Sequence, residues 1–104
     1  MVKWIYPTVN KFPKSQRFVL VQRIENMSFG ILESVIKLTH KDSKILRRNI
    51  VIEIHKLQIL LRISKDLAFL DISKYEHASE ILNELKQLID TESKIKYGEL
   101  QQFI

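Results

Sequence analysis

Apolar residues return every three or four positions through most of this chain, in three long stretches separated by short polar breaks. In the first, Leu20, Ile24, Met27, Ile31, Val35 and Leu38 keep the spacing of one helix face. They predict a helix over 13–39, opening at Pro13, a residue well suited to a first helical position. Gly30 inside it costs a helix about 1 kcal/mol against Ala and is expected to mark a close helix–helix approach. After the break, Asp42 or Ser43 can cap the next helix, because a short side-chain oxygen accepts from an orphan backbone N–H. That helix is predicted over 43–69, about 40 Å long at 1.5 Å per residue. Its main seam is Leu46, Ile50, Leu57, Leu61 and Ala68, widened by Ile54 and Leu60.

Leu70-Asp71-Ile72 is the second break, and Ser73 with Glu76 has the spacing of a capping box. The helix that follows is predicted over 73–96, with Tyr75, Ala78, Leu82, Leu85 and Ile89 as its seam, Ile81 and Leu88 beside it and Gly98 as its stop. Residues 97–104 form a tail. Residues 1–12 hold Trp4, Ile5, Val9 and Phe12, which can face a bundle, but Pro7 disfavours a straight helix. A short, kinked helix held by packing is expected there. The connections are short enough to make neighbouring helices antiparallel. The expected fold is a single all-α domain over 1–104, an antiparallel up-down four-helix bundle with a short, Pro-kinked first helix.

Two of these helices carry more apolar surface than one core stripe uses. Phe18, Phe29 and Ile36 lie well away from the first seam, with Leu32 between. Ile45, Ile52 and Ile59 repeat every seven residues, joined by Ile63, on the side away from Leu46, Leu57 and Leu61. A helix apolar on two sides is either central in its bundle or covered by another chain. Phe18, Phe29, Ile36, Ile45, Ile52, Ile59 and Ile63 are therefore the candidate oligomer interface.

Composition narrows the function. Two glycines and two prolines are too few for the turns of an all-β fold or the phosphate loops of a Rossmann fold. The absence of cysteine excludes disulfides and thiolate metal sites, and it suits a cytoplasmic protein. No apolar run approaches the roughly 20 residues of a membrane span, and Met1–Pro7 lacks the apolar h-region of a signal peptide. No membrane partner is expected.

The net charge of +5 is unevenly spread. Residues 1–65 hold thirteen Lys/Arg against four Asp/Glu, and residues 66–104 hold four against eight. Such asymmetry offers a basic face to an anionic partner, or simply a solvated face. Lys44, Arg48, His55 and Arg62 fall within roughly 40° of one another on a helical wheel, a reasonable phosphate track beside the isoleucine row. The candidate nucleic-acid contacts are Lys14, Arg17 and Arg23 on the 13–39 helix, and Lys44, Arg47, Arg48, His55, Lys56, Arg62 and Lys65 on the next. Some are expected to pair instead with Glu25, Glu33 or Glu53. Trp4, Tyr6 and Phe12 among Lys3, Lys11 and Lys14 can stack on bases or anchor the core.

The histidines His40, His55 and His77 form no Glu-x-x-His or His-Glu-x-x-His pattern, so no metal and no cofactor are expected. There is no phosphate loop and no nucleophile elbow. The chain is expected not to be an enzyme.

Lys11-Phe12-Pro13-Lys14-Ser15-Gln16-Arg17-Phe18, with Gln22-Arg23-Ile24-Glu25-Asn26, resembles the accessory variability determinant (Avd) proteins of diversity-generating retroelements. The resemblance continues through Leu57-Gln58-Ile59-Leu60-Leu61-Arg62-Ile63-Ser64-Lys65-Asp66-Leu67 and resumes at Ser73-Lys74-Tyr75-Glu76. Trp4-Ile5-Tyr6-Pro7 looks like the end of the family's first helix, which is usually longer. The Asn-Ile-Ala-Glu-Gly element of the related intervening-sequence proteins is absent, which favours the retroelement branch. The resemblance implies a basic homopentamer of four-helix bundles. It would bind the retroelement reverse transcriptase and template RNA or cDNA, in support of mutagenic retrohoming. The alternative is an oligomeric protein–protein adaptor of the intervening-sequence type with no retroelement role.

Overall fold

The structure is a computed structural model; it describes Lys3, Ile5 and residues 17–91, except the side chains of Arg17 and Phe18. These residues are helical apart from two short turns, and none of them is in a strand. A π-helical turn, Arg17–Val21, runs into helix α1, Gln22–His40; α2 is Lys44–Asp66 and α3 is Ile72–Asp90. The Pro-kinked first helix over 1–12, the start at Pro13, the run from 92 to 96 and the tail 97–104 lie outside the described residues. Within the first of these spans, Lys3 and Ile5 are helical and Ile5 is buried.

The three helices share one core. α1 buries Ile24, Ile31, Val35 and Leu38, α2 buries Ile50, Ile54, Leu57 and Leu61, and α3 buries Ala78, Leu82, Leu85 and Ile89. The α2 and α3 sets are spaced by three or four residues, and in α1 the buried Ser28 fills the gap between Ile24 and Ile31, so each helix gives the core one stripe. α2 packs against both α1 and α3. Three contacts set the direction of α3: Arg47 bonds to Ile89, Gln58 to Asn83, and Lys65 lies over Tyr75. The partner's number falls as the α2 number rises, so α2 and α3 run antiparallel. Two buried serines within the stripes are satisfied locally. Ser28 donates to the Ile24 carbonyl at 2.8 Å and Ser64 to that of Leu60 at 3.0 Å, so neither leaves an orphan hydroxyl in the core.

Of the two expected caps of α2 one is used, and the helix ends differ from expectation in two places. Ser43, extended at φ −153°, accepts from the Leu46 N–H and caps α2, which frees Asp42 for another partner. At the start of α3 the cap is Asp71, whose carboxylate accepts from the Lys74 N–H at 2.8 Å. The Ser73–Glu76 capping box therefore does not form, because the helix already begins at Ile72 and a carboxylate is the stronger acceptor beside the positive end of a helix.

α2 stops at Asp66, short of the expected 69. The Ala68 N–H bonds to the Lys65 carbonyl and the Phe69 N–H to that of Ser64, the paired bonds of a Schellman turn. The turn needs a left-handed residue, and Ala68 supplies it at φ 63°. Ala68 is thus exposed in the turn rather than buried in the seam. Leu70, just beyond it, enters the core instead.

Gly30 also departs from expectation. It is exposed, and a Cβ added there would meet nothing within 4 Å. It marks no close helix approach.

These two positions generate opposite substitutions with the same expected sign. Gly30→Ala lowers the unfolded-state entropy of an exposed helix position and should stabilise by about 1 kcal/mol. Ala68→Gly relieves a left-handed Cβ penalty and should stabilise by about 0.5–1 kcal/mol. Thermal melting of both variants checks the pair; a lower melting temperature for Ala68→Gly would contradict the Schellman assignment.

Candidate nucleic-acid interface

Burial of the Ile50, Ile54, Leu57 and Leu61 stripe turns the opposite side of α2 to solvent. Ile45 there is 74% exposed, Ile52 and Ile59 are each 46% exposed and Ile63 is 44% exposed. The row expected from the seven-residue repeat is therefore an uncovered apolar strip on the protomer. Phe29 on α1 is also exposed, Ile36 is half-buried, and the Phe18 side chain lies outside the described residues.

The cations occupy the edge of α2 that borders α3. Lys44, Arg48, His55 and Arg62 are all exposed. Lys44 and Arg48 line a groove of about 310 Å³, shared with Val51, Ile52 and, on α3, Asp90. His55 and Arg62 line a second groove of about 280 Å³ further along the same helix pair, with Gln58, Tyr75, Ser79 and Asn83. Asp90 offsets positive charge in the first groove, whereas among the described residues no carboxylate lines the second.

The remaining candidates divide. Arg23 is exposed on α1. Lys56 is exposed but pairs with Glu53 at 3.1 Å, an i,i+3 contact expected from the spacing. Lys65 is half-buried, pairs with Asp66 at 3.3 Å and sits 4.8 Å from the centre of the Tyr75 ring. Lys14 and the side chain of Arg17 lie outside the described residues.

Arg47 is withdrawn from the surface. It is 6% exposed, and its guanidinium meets both oxygens of Asp42, Nε to Oδ1 at 2.8 Å and Nη2 to Oδ2 at 2.9 Å. Its Nη1 donates to the Ile89 carbonyl at 2.6 Å near the end of α3. One residue thus ties the α1–α2 turn to the last turn of α3, and its role is structural. The bidentate geometry holds Asp42 below its ordinary 3.8, chiefly through the hydrogen bond from Arg47, helped by the Arg47 charge and the Ser43 backbone and opposed by burial. Sequence reasoning missed this tie because Asp42 and Arg47 are five apart, outside the i,i+4 rule, and Ile89 contributes only its backbone.

A family model described as bAvd-like matches residues 1–95. The chain belongs to the bAvd-like family. No curated protein and no solved structure matches it. In this bAvd-like chain no helix among the described residues is long and apolar enough to cross a membrane. No three His, Cys, Asp or Glu of the described residues gather to hold a metal ion. What the bAvd-like helices do present is an apolar row and a cationic edge side by side on one helix, α2.

The Arg47 tie has a pH signature. Asp42 has a depressed folded pKa, so its contribution is present above 3.8 and is lost as pH falls through the lower folded value. Asp42→Asn should melt below the wild type at neutral pH, and the gap should close on acidification below about pH 4. Arg47→Met, which leaves the Ile89 carbonyl without that donor, should cost about 2 kcal/mol. Melting curves of the three proteins across pH test this; a gap independent of pH would contradict the assigned partnership.

Proposed function

We propose that this protein is a nucleic-acid-binding accessory subunit of a diversity-generating retroelement. It binds the element's reverse transcriptase and its template RNA or cDNA, and it supports mutagenic retrohoming without catalytic chemistry of its own. It acts in the cytoplasm as a homo-oligomer, a pentamer, of antiparallel four-helix protomers. Family membership supports the retroelement role. The observation that carries nucleic-acid binding is the exposed edge of α2, where Lys44, Arg48, His55 and Arg62 follow one line from residue 44 to residue 62. Phosphates spaced along a strand are the natural complement of such a line. The buried, helical Ile5 supports a fourth helix against the same core.

The isoleucine row supports self-association. An apolar strip of this length on one helix is unusual for a monomer. The same strip is the observation favouring the second reading, a protein–protein adaptor without a retroelement role. Nucleic-acid binding separates the two.

Two measurements follow from the two sides of α2. Light scattering coupled to size exclusion should give an oligomer mass, and Ile52→Glu should dissociate it, since an unpaired carboxylate buried at an interface costs several kcal/mol. Because Ile52 is half exposed in the protomer, its helix content should survive. A wild-type monomer at micromolar concentration would sink the oligomer.

For the cationic edge, the logarithm of RNA affinity should fall linearly with the logarithm of salt, by about 0.7 per phosphate contacted on a single strand. Arg48→Glu with Arg62→Glu should weaken unrelated RNAs alike and reduce that slope. Melting temperature should hardly move, both side chains being exposed. The same pair should impair cDNA synthesis by the partner reverse transcriptase. RNA binding and synthesis at wild-type levels would leave the stripe a solvated face.

A further inference from the structure

The second α2–α3 groove holds more than phosphate chemistry. Gln58 Nε2 donates to Asn83 Oδ1 at 2.9 Å across the helix pair. That bond uses one donor and one acceptor. Both residues line the groove, and among the described residues the bond leaves the Gln58 carbonyl oxygen as an acceptor and the Asn83 amide nitrogen as a donor. Such a pair complements the edge of a nucleobase, on which donors and acceptors also alternate. Each amide holds the other, so both are ordered before a ligand arrives, which lowers the entropic cost of binding.

The surroundings complete a nucleotide-sized site. Arg62 and His55 line the same groove and supply donors for a phosphate, with no carboxylate lining it among the described residues. Tyr75 and Ser79 line it from α3, with the Lys65 ammonium 4.8 Å from the centre of the Tyr75 ring. At about 280 Å³ the groove falls just below the about 300–1,000 Å³ of ligand pockets, a size for one nucleotide rather than a duplex.

We propose that the groove between α2 and α3 is a base-reading nucleotide subsite, in which Arg62 and His55 seat a phosphate and the Gln58–Asn83 amide pair reads the base of a single strand. This inference rests on the nucleic-acid reading above and adds to it a preference for base identity, which a cationic stripe alone does not give. The neighbouring Lys44–Arg48 groove lies on the same edge of α2, so a strand continues from one groove to the other. A strand should therefore be held far better than a free nucleotide.

The test uses the whole chain and fluorescence anisotropy with labelled oligo(A), oligo(C) and oligo(U) of equal length at fixed salt. The wild type should spread these affinities by about tenfold, the discrimination of one two-point base contact. Gln58→Leu with Asn83→Leu should collapse the spread while retaining the salt slope. Asn83→Ala alone, at an exposed position, should reduce it and guards against misfolding of the double variant. Equal wild-type affinities, or a spread that survives both variants, overturn the subsite and leave the charge-driven reading standing. No binding to any strand overturns both. Mononucleotides that compete as strongly as the oligomers would overturn the assignment to a strand.

Discussion

The packing of Ile50, Ile54, Leu57 and Leu61 sets the rotation of α2 about its own axis, and nearly every surface feature of the protein depends on that rotation. α2 touches both α1 and α3, and its buried stripe is spaced 4, 3 and 4 residues apart. At 100° per residue, Ile45, Ile52, Ile59 and Ile63 then fall opposite the core, while Lys44, Arg48, His55 and Arg62 fall at the edge bordering α3. Turning α2 by one position would bury cations and expose the seam. The cost of removing an unpaired charge from water forbids it. A single hydrophobic stripe thereby places an apolar row and a cationic edge on the same helix.

Arg47 is the instructive exception among the cations. It lies one position before Arg48 and points inward, yet its charge is compensated. A bidentate carboxylate and a backbone carbonyl take up its guanidinium, which is the condition for a buried cation to be tolerated. The arrangement also has a geometric role. Asp42 belongs to the turn between α1 and α2, and Ile89 to the last full turn of α3, so the tie links three elements at one end of the described helices. At the other end, the Schellman turn at Ala68 and the Asp71 cap reverse the chain within a few residues and bring Tyr75 beneath Lys65. The second groove lies between these two fastened ends, and the Gln58–Asn83 bond bridges the helices within it.

The existence of the three long helices, their type and most of the core were legible in the sequence because helical periodicity is local. Ile24, Ile31, Val35, Leu38, Ile50, Leu57, Leu61, Ala78, Leu82, Leu85 and Ile89 are each in register with neighbours three or four residues away, and that register needs no knowledge of the fold. The exposed isoleucine row and the Lys44–Arg48–His55–Arg62 edge were legible for the same reason: angular position on a helix follows from residue number alone.

Tertiary structure decided what depends on two distant segments or on competition between local choices. Arg47 reads as one more cation until Asp42 and the Ile89 carbonyl are brought to it. Gln58 and Asn83 carry no signal in a chain where they stand 25 residues apart, because a lone amide on a helix surface is as consistent with solvent as with a site. At the helix ends, several residues could serve as caps or stops. Asp71 prevails over Ser73, and Ala68 takes a left-handed conformation that a glycine would adopt more easily. Those outcomes are set by where Leu70 must enter the core and by how α3 must meet α2, and periodicity within one helix holds no information about either.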